Sequence, residues 1–118
     1  MANLLIHLAT GPENPTRAAL ALLVAKTAAE EGHDVNVFLA GDAVQLARAE
    51  TASAAQGIGT GSFSEHWAAV REAGVPIYLS GMSSKARGIT VETAEGAELA
   101  PPQKLVELAA QADSTLTY

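Results

Sequence analysis

Cysteine is absent from all 118 residues. That absence excludes disulfides, thiolate nucleophiles and cysteine-ligated metals together. Aromatic residues are scarce at 4%, so the core has to be built from aliphatic side chains, much of it alanine and leucine, a composition that lets helices lie close on a sheet. Positive charge is also in short supply: seven Lys and Arg stand against thirteen Asp and Glu, a net charge of −6. The basic residues are scattered, and only Lys85 and Arg87 sit close together. Nucleic acid needs Lys and Arg to neutralise phosphate, and an anionic membrane surface needs them too, so neither is expected as a partner. No apolar run reaches the roughly 20 residues of a membrane-spanning helix. The opening MANLLIHLA lacks the basic start of a signal peptide, and the expectation is a cytoplasmic protein. The three histidines, His7, His33 and His66, are far apart and show no H-x-x-x-H spacing, so neither a metal nor a cofactor is expected.

What is present is 48% apolar sequence, enough for one domain spanning 1–118. NLLIHLA (3–9) reads as a first strand. Asn14-Pro15 opens a helix, because Asn caps and Pro tolerates the first helical position, where an N–H would go unpaired anyway. That helix runs to about Glu31, and Gly32 closes it. DVNVFLA (34–40) is a second strand, followed by Gly41-Asp42 with Asp42 placed to cap a short helix through Ala47. Residues 51–61, rich in Ala, Ser and Gly, read as a flexible loop that would serve as a lid. Ser62 and Glu65 form a capping box for a helix carrying Trp67 and Val70 that stops at Gly74.

VPIYL (75–79) is the third strand. Ser83 or Ser84 caps a short helix, and residues 89–92 form a brief strand or an extended piece. Pro101-Pro102 opens the last helix, with Leu105, Val106, Leu108, Ala109 and Ala112 facing inward, and STLTY (114–118) is the final strand. The alternation implies an α/β fold: a three-layer αβα sandwich around a mostly parallel sheet of about five strands.

In such a fold ligands bind beyond the carboxyl ends of the strands. Three segments should meet there: Thr10-Gly11, Gly41-Asp42, and Ser80, Gly81, Met82, Ser83 and Ser84. Ser80 reads either as a turn residue bonding its own backbone or as a ligand contact. The short helix after it offers unpaired N–H groups to an anion, with Lys85 and Arg87 adding charge; a solvated, capped helix is an equal reading. No nucleophile motif is complete here: Lys85 stands where G-x-S-x-G needs its second Gly, and Met82 where S-x-x-K needs its Ser. No catalytic residue is therefore assigned. An enzyme using Ser80 or Asp42 would need a base within about 3 Å of the Ser80 hydroxyl.

Four stretches in order, HLATGPENPTRAALAL (7–22), GHDVNVFLAGDAVQLA (32–47), GVPIYLSGMSSKARGI (74–89) and PPQKLVELAAQADSTLTY (101–118), resemble the DsrE/DsrF-like family, which includes sulfur-relay TusD-type proteins. The resemblance covers nearly the whole chain. It implies a compact α/β domain that assembles as a homo-oligomer, a trimer or hexamer, and it raises a sulfur-relay paralogue as an alternative partner. Sulfur-transferring members carry a persulfide on a cysteine at the tip of the third strand. The matching position here is Ser80, and a hydroxyl cannot hold a persulfide. The resemblance therefore implies a non-catalytic domain with its sulfur chemistry lost, left with a strand-tip pocket for a small, anionic ligand. An interaction subunit of a hetero-oligomer is the second reading.

Overall fold

The computed structural model describes residues 1–94 and 96–118. Five parallel strands form the sheet: β1 (Asn3–Leu8), β2 (Asp34–Leu39), β5 (Ile77–Ser80), β6 (Glu98–Ala100) and β7 (Ser114–Thr117). Their spatial order is β6-β5-β2-β1-β7. Two further strands, β3 (Gln56–Gly57) and β4 (Gly61–Ser62), make a separate antiparallel hairpin.

The topology dictates the layers. From β1 the chain steps to β2, β5 and β6 in one direction, then returns across the sheet to β7 on the far side of β1. Parallel crossovers are right-handed, so reversing the direction of travel moves the connecting helix to the opposite face. Helices α1 (Pro15–Glu30) and α3 (Phe63–Glu72) accordingly pack together over Ile6, Leu8, Val37, Leu39 and Leu79. Helix α5 (Pro102–Gln111) covers the other face, where Leu5, Phe38, Ala100 and Leu108 form a smaller cluster. The three-layer αβα arrangement is thus the one the sequence predicts, with one thick and one thin layer.

Local signals explain α1 well. The Asn14 side chain accepts from the Arg17 N–H, Pro15 opens the first turn, and Gly32 takes φ +86 just past the end. Its buried stripe is mostly alanine: Ala18, Ala21, Ala25 and Ala28, which brings the helix close to the strands.

Three sequence expectations fail. Residues 89–92 form no strand: 89 and 90 lie outside regular structure, and 91–93 are a turn. The Ala94 N–H bonds Thr90 O at 2.9 Å, the Thr93 N–H reaches the Thr90 hydroxyl, and the Glu92 carboxyl, bonded by its own backbone N–H and then by Thr90, is held below its ordinary pKa. This local threonine turn chemistry outweighs the strand preference of Ile-Thr-Val. The fifth strand is β6 instead, three residues with no β-branched side chain, fixed by pairing with β5.

Residues 51–61 are not a loop either. They hold the end of helix α2 (Ala49–Ala54) and the hairpin, which is tied to α1: the Ile58 N–H donates to Thr16 Oγ1 at 3.0 Å, and the Thr60 hydroxyl to Thr16 O at 2.9 Å. Nor is α5 buried as its pattern suggests. Leu108 is buried, but Val106 is 68% exposed and Ala109 is exposed as well.

Candidate functional site

The three strand-tip segments converge. Strand β5 ends at Ser80, whose Oγ accepts from the Ser83 N–H at 3.3 Å and so caps helix α4 (Gly81–Ala86). The cap is thus Ser80, one turn earlier than Ser83 or Ser84. Gly81 and Met82 already have helical geometry, and only a residue before them has a side chain facing the third amide of the helix.

Ser83 faces the neighbouring tip. Its Oγ accepts from the Gly41 N–H at 2.9 Å, where Gly41 turns out of β2 with φ +58. Asp42 lies in the first turn of a 3-10 segment, Gly41–Ala47, which has no side-chain cap. The expected capping role therefore falls away, because the carboxylate turns outward to Arg87 Nη2 at 2.9 Å. Arg87 also donates to Ser83 O at 3.0 Å, and Arg48 donates to Arg87 O at 2.6 Å. Gly11 is buried against this turn: a Cβ there would stand 2.6 Å from the Asp42 carbonyl carbon. Thr10 is half-buried beside it.

The hydroxyls and charges of the tips therefore bond mainly to one another. Ser84 is wholly buried, and its Oγ has no partner among the described residues. Lys85 is exposed. The outward-facing part is Gly81 and Met82, the latter 71% exposed, beside an open cleft of about 590 Å³ shared with Leu99, Pro101 and Pro102. A wider cleft, about 700 Å³, lies away from Ser80, between Asn14, Arg17, Leu20 and Tyr118.

No histidine bonds the Ser80 hydroxyl among the described residues. His33 Nδ1 accepts from the Ala2 N–H, and His66 Nε2 bonds Thr60 O at 2.8 Å. His7 lies within β1, where its Nε2 is sealed from solvent without a partner among the described residues, and burial lowers its pKa. Its ring meets Phe38 edge-on. Among the described residues no group of three His, Cys, Asp or Glu is placed to hold a metal, and no helix is long and apolar enough to cross a membrane.

The ties made by Arg48 and Arg87 escape a sequence reading. Arg87-Gly88 at a helix end signals a terminus, but nothing in the sequence pairs it with Asp42, 45 residues away.

The fold has solved counterparts. The ychN protein from E. coli is 23% identical, with all of both chains covered and a TM-score of 0.84. A conserved protein of unknown function from Bacteroides thetaiotaomicron is 15% identical, covering 98% of this chain and 95% of its own, with a TM-score of 0.71. Both likenesses establish the fold. No curated protein matches the chain significantly. The sequence model of the DsrE/DsrF-like family matches residues 2–118, and the chain belongs to that family.

Proposed function

We propose that this chain is a non-catalytic DsrE/F-like subunit that works by assembly, as a homo-oligomer, with sulfur carriage lost. The observation that carries the reading is the state of Ser80. It stands at the tip of β5, where sulfur-transferring members have their cysteine, and its Oγ caps α4. A hydroxyl in that role lacks the nucleophilicity of a thiolate, and no base bonds it among the described residues.

Assembly is supported by the thin layer. All four residues of the edge strand β7 are exposed, Val106 is 68% exposed on α5, and Leu116 is 39% exposed on β7. An exposed edge strand and an exposed apolar side chain on the covering helix are the kinds of surface that a partner covers. A small anion at the strand tips, held through Thr10, Gly11, Gly41, Asp42 and residues 80–84, is the weaker form of the proposal, since Ser83 and Asp42 are engaged within the protein.

The test is native mass spectrometry of the gently purified protein, with sedimentation at micromolar concentration. A homo-oligomer that dissociates in Val106→Glu/Leu116→Glu is the expected result. A monomeric wild type overturns the reading, and a stoichiometric cysteine-bearing partner replaces it with the hetero-oligomeric one.

A further inference from the structure

Trp67 is the only tryptophan of the chain, and it is only half-buried. On α3 it follows Ser64 by three residues and precedes Arg71 by four, so the three side chains share one stripe of the helix. The indole is backed by Phe63, with ring centroids 5.9 Å apart. In front of it lies a cavity of about 210 Å³, closed on the other side by Leu46, Ala49 and Ala52 from the 3-10 segment and α2.

The polar rim is set up to donate. Ser62 Oγ accepts from the Glu65 N–H and from Gln56 Nε2, each at 3.4 Å. It also shares a hydrogen bond at 3.1 Å with Ser64 Oγ, in which either hydroxyl can donate. Ser64 lines the cavity, and its proton is free to point there when Ser62 is the donor of that pair. Arg71, with Ser53 and Thr93, completes the rim. Its guanidinium lies against Gly96, where φ is +84 and any Cβ would collide with it, and it forms no ion pair among the described residues.

We propose that this cavity binds a small organic carboxylate with an apolar body of about one ring. The carboxylate accepts from Arg71 and the Ser64 hydroxyl, and the body lies between the indole and Leu46, Ala49 and Ala52. Guanidinium and carboxylate match in geometry as well as charge. The volume, below the roughly 300 Å³ of ordinary ligand pockets, sets the size of the body. The site is separate from the strand tips and does not depend on their function.

The single tryptophan makes the test direct. Sodium benzoate is titrated into the full chain while the Trp67 indole N–H resonance is followed by NMR, with Trp67 fluorescence as a second readout. Benzamide, of the same shape without charge, is run in parallel, as is Arg71→Gln after its fold is checked by circular dichroism. The expected result is a saturable Trp67 shift with Kd on the order of 1 mM. Both benzamide and Arg71→Gln should then bind about 10- to 100-fold more weakly, as losing a charge-assisted hydrogen bond demands. Two results overturn the proposal: no saturable shift at ten times that concentration, or equal binding of benzoate by Arg71→Gln and wild type.

Discussion

Gly11→Ala gives the sharpest test of the reading that the strand tips are built for structure. Gly11 lies buried in the turn after β1, and the new methyl carbon would stand 2.6 Å from the Asp42 carbonyl carbon and 2.9 Å from Glu13 Oε1. Carbon atoms in good contact are about 3.5–4.0 Å apart, so the Asp42 turn would have to retreat by about 1 Å. The Glu13 carboxylate can swing away, but the Asp42 backbone cannot do so freely. Its chain neighbour Gly41 is bonded to Ser83, and its side chain to Arg87, so the shift would pull on α4. Overpacking of this kind costs about 1–3 kcal/mol. For a domain of this size that is a fall in Tm of roughly 4–12 °C. Urea unfolding followed by circular dichroism measures it, with Gly32→Ala as control. Gly32 has φ +86 and nothing within 4 Å of an added Cβ, so that control reports backbone strain alone, about 1 kcal/mol. A Gly11→Ala cost within 0.5 kcal/mol of zero would refute the argument, because it would mean that the tips yield and are not a tied structure.

The remaining predictions concern single side chains. Ser80→Ala removes the α4 cap and should cost about 1 kcal/mol, measured by the same unfolding curves; no loss would return Ser80 to the pool of free ligand contacts. Ser84→Ala removes a buried hydroxyl that has no partner among the described residues and should be neutral or slightly stabilising, whereas a clear loss of stability would mean that the hydroxyl is bonded in solution. For His7 the folded-state pKa is depressed by burial, so the unfolded chain takes up the proton first. Stability is complete above the unfolded value near 6.5 and declines as pH falls from there towards the folded value. His7→Leu should flatten that part of the pH profile, and a wild-type profile already flat from pH 7 to 5 would refute the assignment.

The sequence was most legible where one local signal decided the outcome. Asn14-Pro15 and Gly32 bracket α1 by capping chemistry alone, and the strands at 3–8 and 34–39 announce themselves by apolar runs. It was least legible where partners distant in the chain decide. β6 is a strand because β5 lies beside it, not because Glu-Leu-Ala prefers to be extended. Residues 51–61 read as a loop because their glycines are turn formers, but Thr16 on α1 holds the hairpin they make. In α5 the helical spacing of Leu105, Val106, Leu108 and Ala109 does not say which apolar stripe meets the sheet, and Val106 faces out. At the candidate site the convergence of the three tips follows from parallel topology, whereas the pairing of Ser83 with Gly41 and of Asp42 with Arg87 does not.

That pairing bears on what a residue at the tip of β5 does for the fold. A residue at the tip of β5 has two separate tasks open to it: chemistry with a ligand, and satisfying the orphan amides of α4. A serine hydroxyl performs the second task well, as the bond from the Ser83 N–H illustrates. It therefore holds α4 in place so that Ser83 reaches Gly41 and Arg87 reaches Asp42. Those ties join β2 to the α4 end of the sheet without using Ser80 as a reactive group. The architecture of the tips thus does not depend on a reaction at Ser80. A substitution at Ser80 that keeps a hydrogen-bond acceptor preserves the fold, and one that removes the acceptor loosens the tips.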